Sequence, residues 1–173
     1  GGPVMTNVLY NNRYQIVQSP GAVMIEVEMV HDVRIIPIVK SAAEALHGPT
    51  AIKKWLGDSV GWYDGDTLVV QTKNVNPIQG GYLSKDGVLI EKFTRWNDHQ
   101  ITYEFTVTDP TLYSQPWKGE MPLNATKDVI FEYACHEGNY SMGSILNAGR
   151  RAEREGITYR GEDREGDEEG SSR

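Results

Sequence analysis

The feature that most constrains this chain is a two-residue alternation broken at short intervals by turn-forming pairs. Over residues 22–30, Val23, Ile25, Val27 and Met29 are apolar, and Glu26 and Glu28 stand between them. Over residues 100–108, Ile101, Tyr103, Phe105 and Val107 alternate with Thr102, Glu104 and Thr106. A strand turns successive side chains to opposite faces, so each run specifies a half-buried strand. Asp64-Gly65 stands between two β-prone runs and is a hairpin signal, and the second of those runs covers 68–75. Asp86-Gly87 and Asn97-Asp98 mark further reversals that frame 88–96 and 100–108. Ser19-Pro20-Gly21 is a turn after a strand at 13–18. After His31-Asp32 the strand pattern resumes over 33–38, with Arg34 its single charge, as in a tight hairpin.

Elsewhere the period changes. Ser41 and Glu44 have capping-box spacing for a short helix that ends at His47-Gly48-Pro49, and a second helical turn is expected at 50–56. Residues 111–127 read as a long aromatic-bearing loop around Pro116-Trp117 and Pro122. Residues 129–140 read as a last strand, with Val129, Phe131, Tyr133 and Cys135 on a core face and Glu132 and His136 opposite. A helix is predicted over 141–155, with Arg150, Arg151 and Arg154 near its end, where cations suit the helix dipole. Residues 156–173 hold six acidic side chains and almost nothing apolar, the composition of a disordered tail. The fold class expected is therefore mainly β: an antiparallel meander closed into a calycin-like barrel, or folded as a sandwich, with a C-terminal helix. The expected domain is residues 1–155, followed by the tail. A barrel of this size can hold one ligand in its cup.

A net charge of −7 discourages nucleic acid and anionic membranes as partners. No run approaches the roughly 20 apolar residues of a membrane span. One cysteine cannot form an internal disulfide, so cysteine use fixes no compartment. The chain opens Gly1-Gly2-Pro3 and not with Met, so the lack of a signal peptide at this point is uninformative.

The reactive side chains concentrate at 132–139. His136 with Glu132 or Glu137 is the most economical acid–base pair, and Arg34 or Arg95 would stabilise an anionic substrate or intermediate. His31, His136 and Glu137 are the metal-ligand candidates, a set that suits zinc or non-haem iron, although their spacing is not diagnostic. Cys135 and His136 face opposite ways on a strand and do not pair as nucleophile and base. Glu28, His31, Arg95, Glu104 and Trp62 are candidate ligand-binding residues if the polar faces line a cup. The alternative is that those faces meet water. His47 and His99 are expected in solvated loops. Four tryptophans, Trp55 and Trp117 among them, offer stacking surfaces or core packing. The leading expectation is binding of a small, partly apolar molecule. The second is an isomerase, lyase or hydrolase at His136, and the third a subunit that docks or oligomerises through the arginine-rich helix and acidic tail. No particular cofactor is indicated.

Several segments also carry a resemblance: 31–37 (HDVRIIP), 55–59 (WLGDS), 65–70 (GDTLVV), 105–110 (FTVTDP) and 133–140 (YACHEGNY). Together they resemble a group of β-rich bacterial proteins, found in acidobacterial and proteobacterial genomes, for which no activity is established. The likeness runs from Tyr10 to Gly149. It implies a secreted or periplasmic protein made with a signal peptide and an upstream segment, and it allows Cys135 a disulfide partner in that segment. The acidic tail is not part of the shared pattern.

Overall fold

The computed structural model describes residues 4–6, 12–76, 82–134, 137, 138 and 140–157. The chain divides into two compact units, residues 1–133 and 134–173. The first unit contains two antiparallel sheets. One is β1 (Tyr14–Ser19), β2 (Ala22–Val27) and β3 (Val33–Pro37). The other is β4 (Asp58–Asp64), β5 (Thr67–Lys73), β6 (Val88–Asn97), β7 (Gln100–Thr108) and β8 (Trp117–Asn124). Within each sheet the strands neighbour one another in chain order, so both are meanders.

The expected reversals form where the turn residues stand. Ser19 pairs with Ala22 around Pro20-Gly21, and Asn97 pairs with Gln100 around Asp98-His99. Asp64 pairs with Thr67, and Gly65 takes the positive φ (58°) that a two-residue hairpin turn demands. The alternation also sorts as its chemistry dictates. Val23, Ile25 and Ile36 from the first sheet join Leu68, Val70, Leu89, Phe93, Tyr103, Phe105 and Val107 from the second in a single buried cluster. Each such side chain contributes roughly 1.5–3 kcal/mol of transfer free energy. The sheets are also linked by one parallel bridge, Ile38 to Gly61, in which the Val39 N–H donates to the Gly61 carbonyl at 2.9 Å. Beyond that bridge β3 and β4 are unpaired, and among the described residues no pairing joins β8 to β1. The barrel closure expected from the sequence is thus absent from those pairings.

Three more sequence expectations need correction. The long loop contains β8, whose Trp117, Gly119, Met121 and Leu123 face inward and alternate with more exposed Lys118, Glu120, Pro122 and Asn124. Pro122 is tolerated because β8 is an edge strand. Gly119 is needed because a Cβ there would meet the Phe105 ring at 2.3 Å. The expected strand at 129–140, conversely, is not one: 125–134 contains no strand, and Val129 and Phe131 are exposed. Its place on β7 is already taken by β8, and the Phe131 N–H bonds to the Glu28 carboxylate instead of a ladder. The capping-box helix shrinks to a 3₁₀ turn over Ala42–Glu44.

In the second unit, α1 (Ser141–Glu155) spans the predicted helix and ends on Gly156 in the left-handed conformation. Gly156 and Ile157 donate their N–H groups to carbonyls of the last turn, the usual way to satisfy a helix end. Among the described residues no helix is long and apolar enough to cross a membrane. The acidic tail from 158 onward lies outside the described residues.

Candidate functional site

Strand β3 is inverted relative to ordinary expectation. Its sequence is Val-Arg-Ile-Ile-Pro, and it buries Arg34 and Ile36 while turning Val33, Ile35 and Pro37 outward. The connection from β2 dictates this. The Val27 N–H bonds to the Asp32 carbonyl, which sets Ile25 opposite Arg34 and Val23 opposite Ile36. Cross-strand partners share a face. Since Val23 and Ile25 point into the core, Arg34 must follow them.

The core receives it with a matching group. Arg34 Nη1 lies 2.7 Å from Glu91 Oε2 and Nη2 lies 3.1 Å from Oε1, a bidentate pair. The Tyr103 hydroxyl donates to Glu91 Oε1 at 2.9 Å and accepts the Met5 N–H at 3.1 Å. Arg34 is 7% exposed and Glu91 0%. Burial lowers the affinity of Arg34 for its proton, but the Glu91 carboxylate outweighs burial and the guanidinium is held above its ordinary pKa. Burial, reinforced by Glu91, pushes the Tyr103 phenol well above the usual range. Tyr14 is raised too, by burial first. The ion pair is therefore locked, and Arg34 is already committed to Glu91 instead of being presented to a substrate anion.

The inversion leaves an apolar surface outside. Val33, Ile35 and Pro37 line one wall of an open groove of about 730 Å³, with Leu46, Trp55 and Leu56 among the opposing residues. Val33 is 45% exposed, Ile35 66% and Trp55 51%. Such a volume is in the range of small-molecule sites. Its polar groups are Asp32, Glu44, Lys54, Asp58 and Ser59, besides the paired Arg34. Asp58 accepts hydrogen bonds from Lys54 and from the Gly48 N–H. Burial raises its pKa, but these donors outweigh burial and hold it below the ordinary value. Behind the groove, His47 is not the solvated loop residue expected. Its side chain is 8% exposed, Nε2 is 2.9 Å from Gln71 Oε1, and Nδ1 is 3.5 Å from Asp58 Oδ2. His99 is exposed, as expected.

A second polar cluster sits at the turn after β2. Glu28, 3% exposed, accepts the Phe131 N–H at 3.0 Å and lies 3.6 Å from Arg13. Arg13 reaches Asp128 at 2.9 Å, and its guanidinium stacks 5.4 Å from the Phe131 ring centre. His31 meets Tyr133 edge-on at 6.4 Å. The turn that presents His31 is strained, with Val30 at φ 62° and His31 at φ 45°. A β-branched residue there is a genuine outlier, and such strain concentrates where a side chain has to be aimed.

The remaining sequence candidates separate. Arg95, 68% exposed, pairs with Asp98 in its own hairpin. Glu104 faces solvent opposite Lys92 and Glu120. Trp62 is half-buried on β4, and Glu132 and Glu137 are exposed. The candidates thus do not line one cup: Arg34 is in the core pair, Glu28 in its own cluster, and Arg95, Glu104, Glu132 and Glu137 are exposed. Cys135, His136 and Asn139 lie outside the described residues. Among the described residues no three His, Cys, Asp or Glu side chains are grouped to hold a metal ion. Sequence reasoning missed Glu91, Asp58 and Arg13. Glu91 carried a signal, because it shares a strand face with Leu89 and Phe93. No protein-family model, curated protein or solved structure matches this chain.

Proposed function

We propose that this is a secreted or periplasmic binding protein, a member of the bacterial group it resembles, which takes a small, partly apolar molecule in the groove beside β3 and not in a closed cup. The observation that carries this reading is the inverted strand. Three consecutive outward positions, Val33, Ile35 and Pro37, are apolar, and they share with Trp55 an open groove whose rim is charged. Exposed apolar surface gathered in a concavity marks a contact site. The test uses the neutral dye Nile red as probe. Its fluorescence is expected to rise on mixing with the protein, and Trp55→Ala and Ile35→Ser to weaken binding at least tenfold while the fold, read by circular dichroism, stays intact. Dye binding indifferent to both substitutions would overturn the reading.

A second reading is acid–base catalysis by His136 with Glu132 or Glu137, the pair in which the sequence sets an imidazole beside carboxylates. His136→Ala would then abolish turnover of a substrate while leaving its affinity unchanged. Loss of affinity alone would favour the binding protein.

A further inference from the structure

We infer that the groove takes an extended peptide, basic and apolar by turns, which adds to the free edge of β3 as a further strand. This rests on the binding reading above and makes its partly apolar ligand a short peptide segment. The Val27–Asp32 bond fixes which residues of β3 spend their backbone groups on β2. In an antiparallel ladder these alternate, so Arg34 and Ile36 bond to β2, while Val33 and Ile35 turn their N–H and C=O groups toward the groove. The Ile38 N–H, bonded to the Gly21 carbonyl, obeys the same parity, and so does Val39, whose N–H goes the other way to Gly61. The outward row therefore begins its pairing at the Val39–Gly61 bond, and over Val33–Pro37 no strand pairs with it. Such an edge is a template for strand addition.

The side chains agree with the backbone. Val33 and Ile35 carry their exposed apolar groups on the same residues whose polar groups face the open edge. A strand laid there gains backbone bonds and side-chain contacts together. Charge selects its composition. Arg34 is neutralised by Glu91, and Lys54 by Asp58, which leaves Asp32 and Glu44 as the groove's unmatched charges. A partner with Lys or Arg between apolar residues complements them, and an acidic one does not. The chain's net charge of −7 favours the same partner at long range.

The probe is a blocked synthetic heptapeptide of alternating valine and lysine, titrated into the full chain by calorimetry. It is expected to bind, to weaken at least tenfold when its alternate backbone nitrogens are methylated, and to weaken severalfold with Asp32→Asn/Glu44→Gln. The valine–glutamate counterpart is expected not to bind. Ile35→Pro removes one outward N–H without touching the β2 ladder, and Pro37 already occupies this row, so it too should weaken the peptide at least tenfold. Methylated and unmethylated peptides binding equally would overturn strand addition and leave the apolar groove standing. No peptide binding with Nile red still bound would do the same. Neither probe binding would remove both the strand addition and the groove reading.

Discussion

Arg34–Glu91 and Arg13–Glu28 are the same chemical pair in two settings. In the core both partners are dry, the contact is bidentate, and Tyr103 completes the shell of Glu91. At the turn after β2 only Glu28 is buried. Arg13 is 36% exposed, stands 3.6 Å away and divides itself between Glu28 and Asp128. The first pair fixes which way β3 faces, and so creates the groove. The second fastens a segment without secondary structure, 128–133, to the strand sheet. A dry pair specifies the fold because breaking it strands a charge, while a wet one costs little to exchange for water.

The core pair gives the largest effect. Arg34→Met leaves the Glu91 carboxylate buried without its cation, and should cost about 3–5 kcal/mol in urea denaturation. Combining it with Glu91→Leu should return most of that loss, because no charge is then left uncompensated. A single substitution costing under about 1 kcal/mol would mean that water reaches Glu91, and the contrast with Glu28 would collapse.

Glu28→Ala comes next. It removes the acceptor of the Phe131 N–H and should cost about 1–3 kcal/mol. Amide exchange should quicken at Phe131 while the core strands stay protected. Equal quickening throughout would show that this cluster holds the whole sheet and not one segment.

Acid distinguishes a third kind of carboxylate. Asp109, 2% exposed, is raised by burial, but bonds from the Ser84 N–H and hydroxyl and the Thr111 N–H outweigh this and hold its pKa below the ordinary value. Asp58 is lowered in the same way. For a depressed carboxyl the stabilisation is complete above its unfolded pKa, near ~3.9, and is lost as pH falls through the lower folded value. Asp109→Asn should therefore flatten the stability profile below about pH 4, at a cost near 1 kcal/mol per bond lost at neutral pH. An unchanged acid limb would dissociate Asp109 from it.

How much of this was legible follows from the same residues. Seven of the eight strands announced themselves by alternation or by a turn pair, and α1 by its change of period. Strand β8 alternates as well, but its inward row includes Gly119 and its outward row Pro122, and both residues disguise a strand unless its edge position and the Phe105 ring over Gly119 are known. The 129–134 segment has the composition of a strand and lost the competition for β7, which no local pattern reports. The core pair was half visible. Arg34 shares a face with Ile36, and Glu91 shares one with Leu89 and Phe93. Two opposite charges, each on an otherwise apolar row, imply one another, but only the three-dimensional contact shows that they meet. The groove was hidden for the same reason: nothing in 33–37 alone says that Arg34 faces the core and that Val33 and Ile35 therefore face out.

The smallest effect belongs to Asp128. It is 61% exposed, and its bond to Arg13 at 2.9 Å competes with water and with salt. Asp128→Asn should cost no more than about 1 kcal/mol, and that cost should shrink as ionic strength rises beyond physiological, where the screening length falls below ~8 Å. The Glu28 bond to Phe131 does not depend on this carboxylate, so exchange at Phe131 should remain slow in the same variant. If Asp128→Asn instead released the segment as fully as Glu28→Ala, the anchor would lie in the exposed arm of the cluster. Burial of Glu28, and with it the distinction between a dry and a wet partner, would then cease to explain why this segment is held.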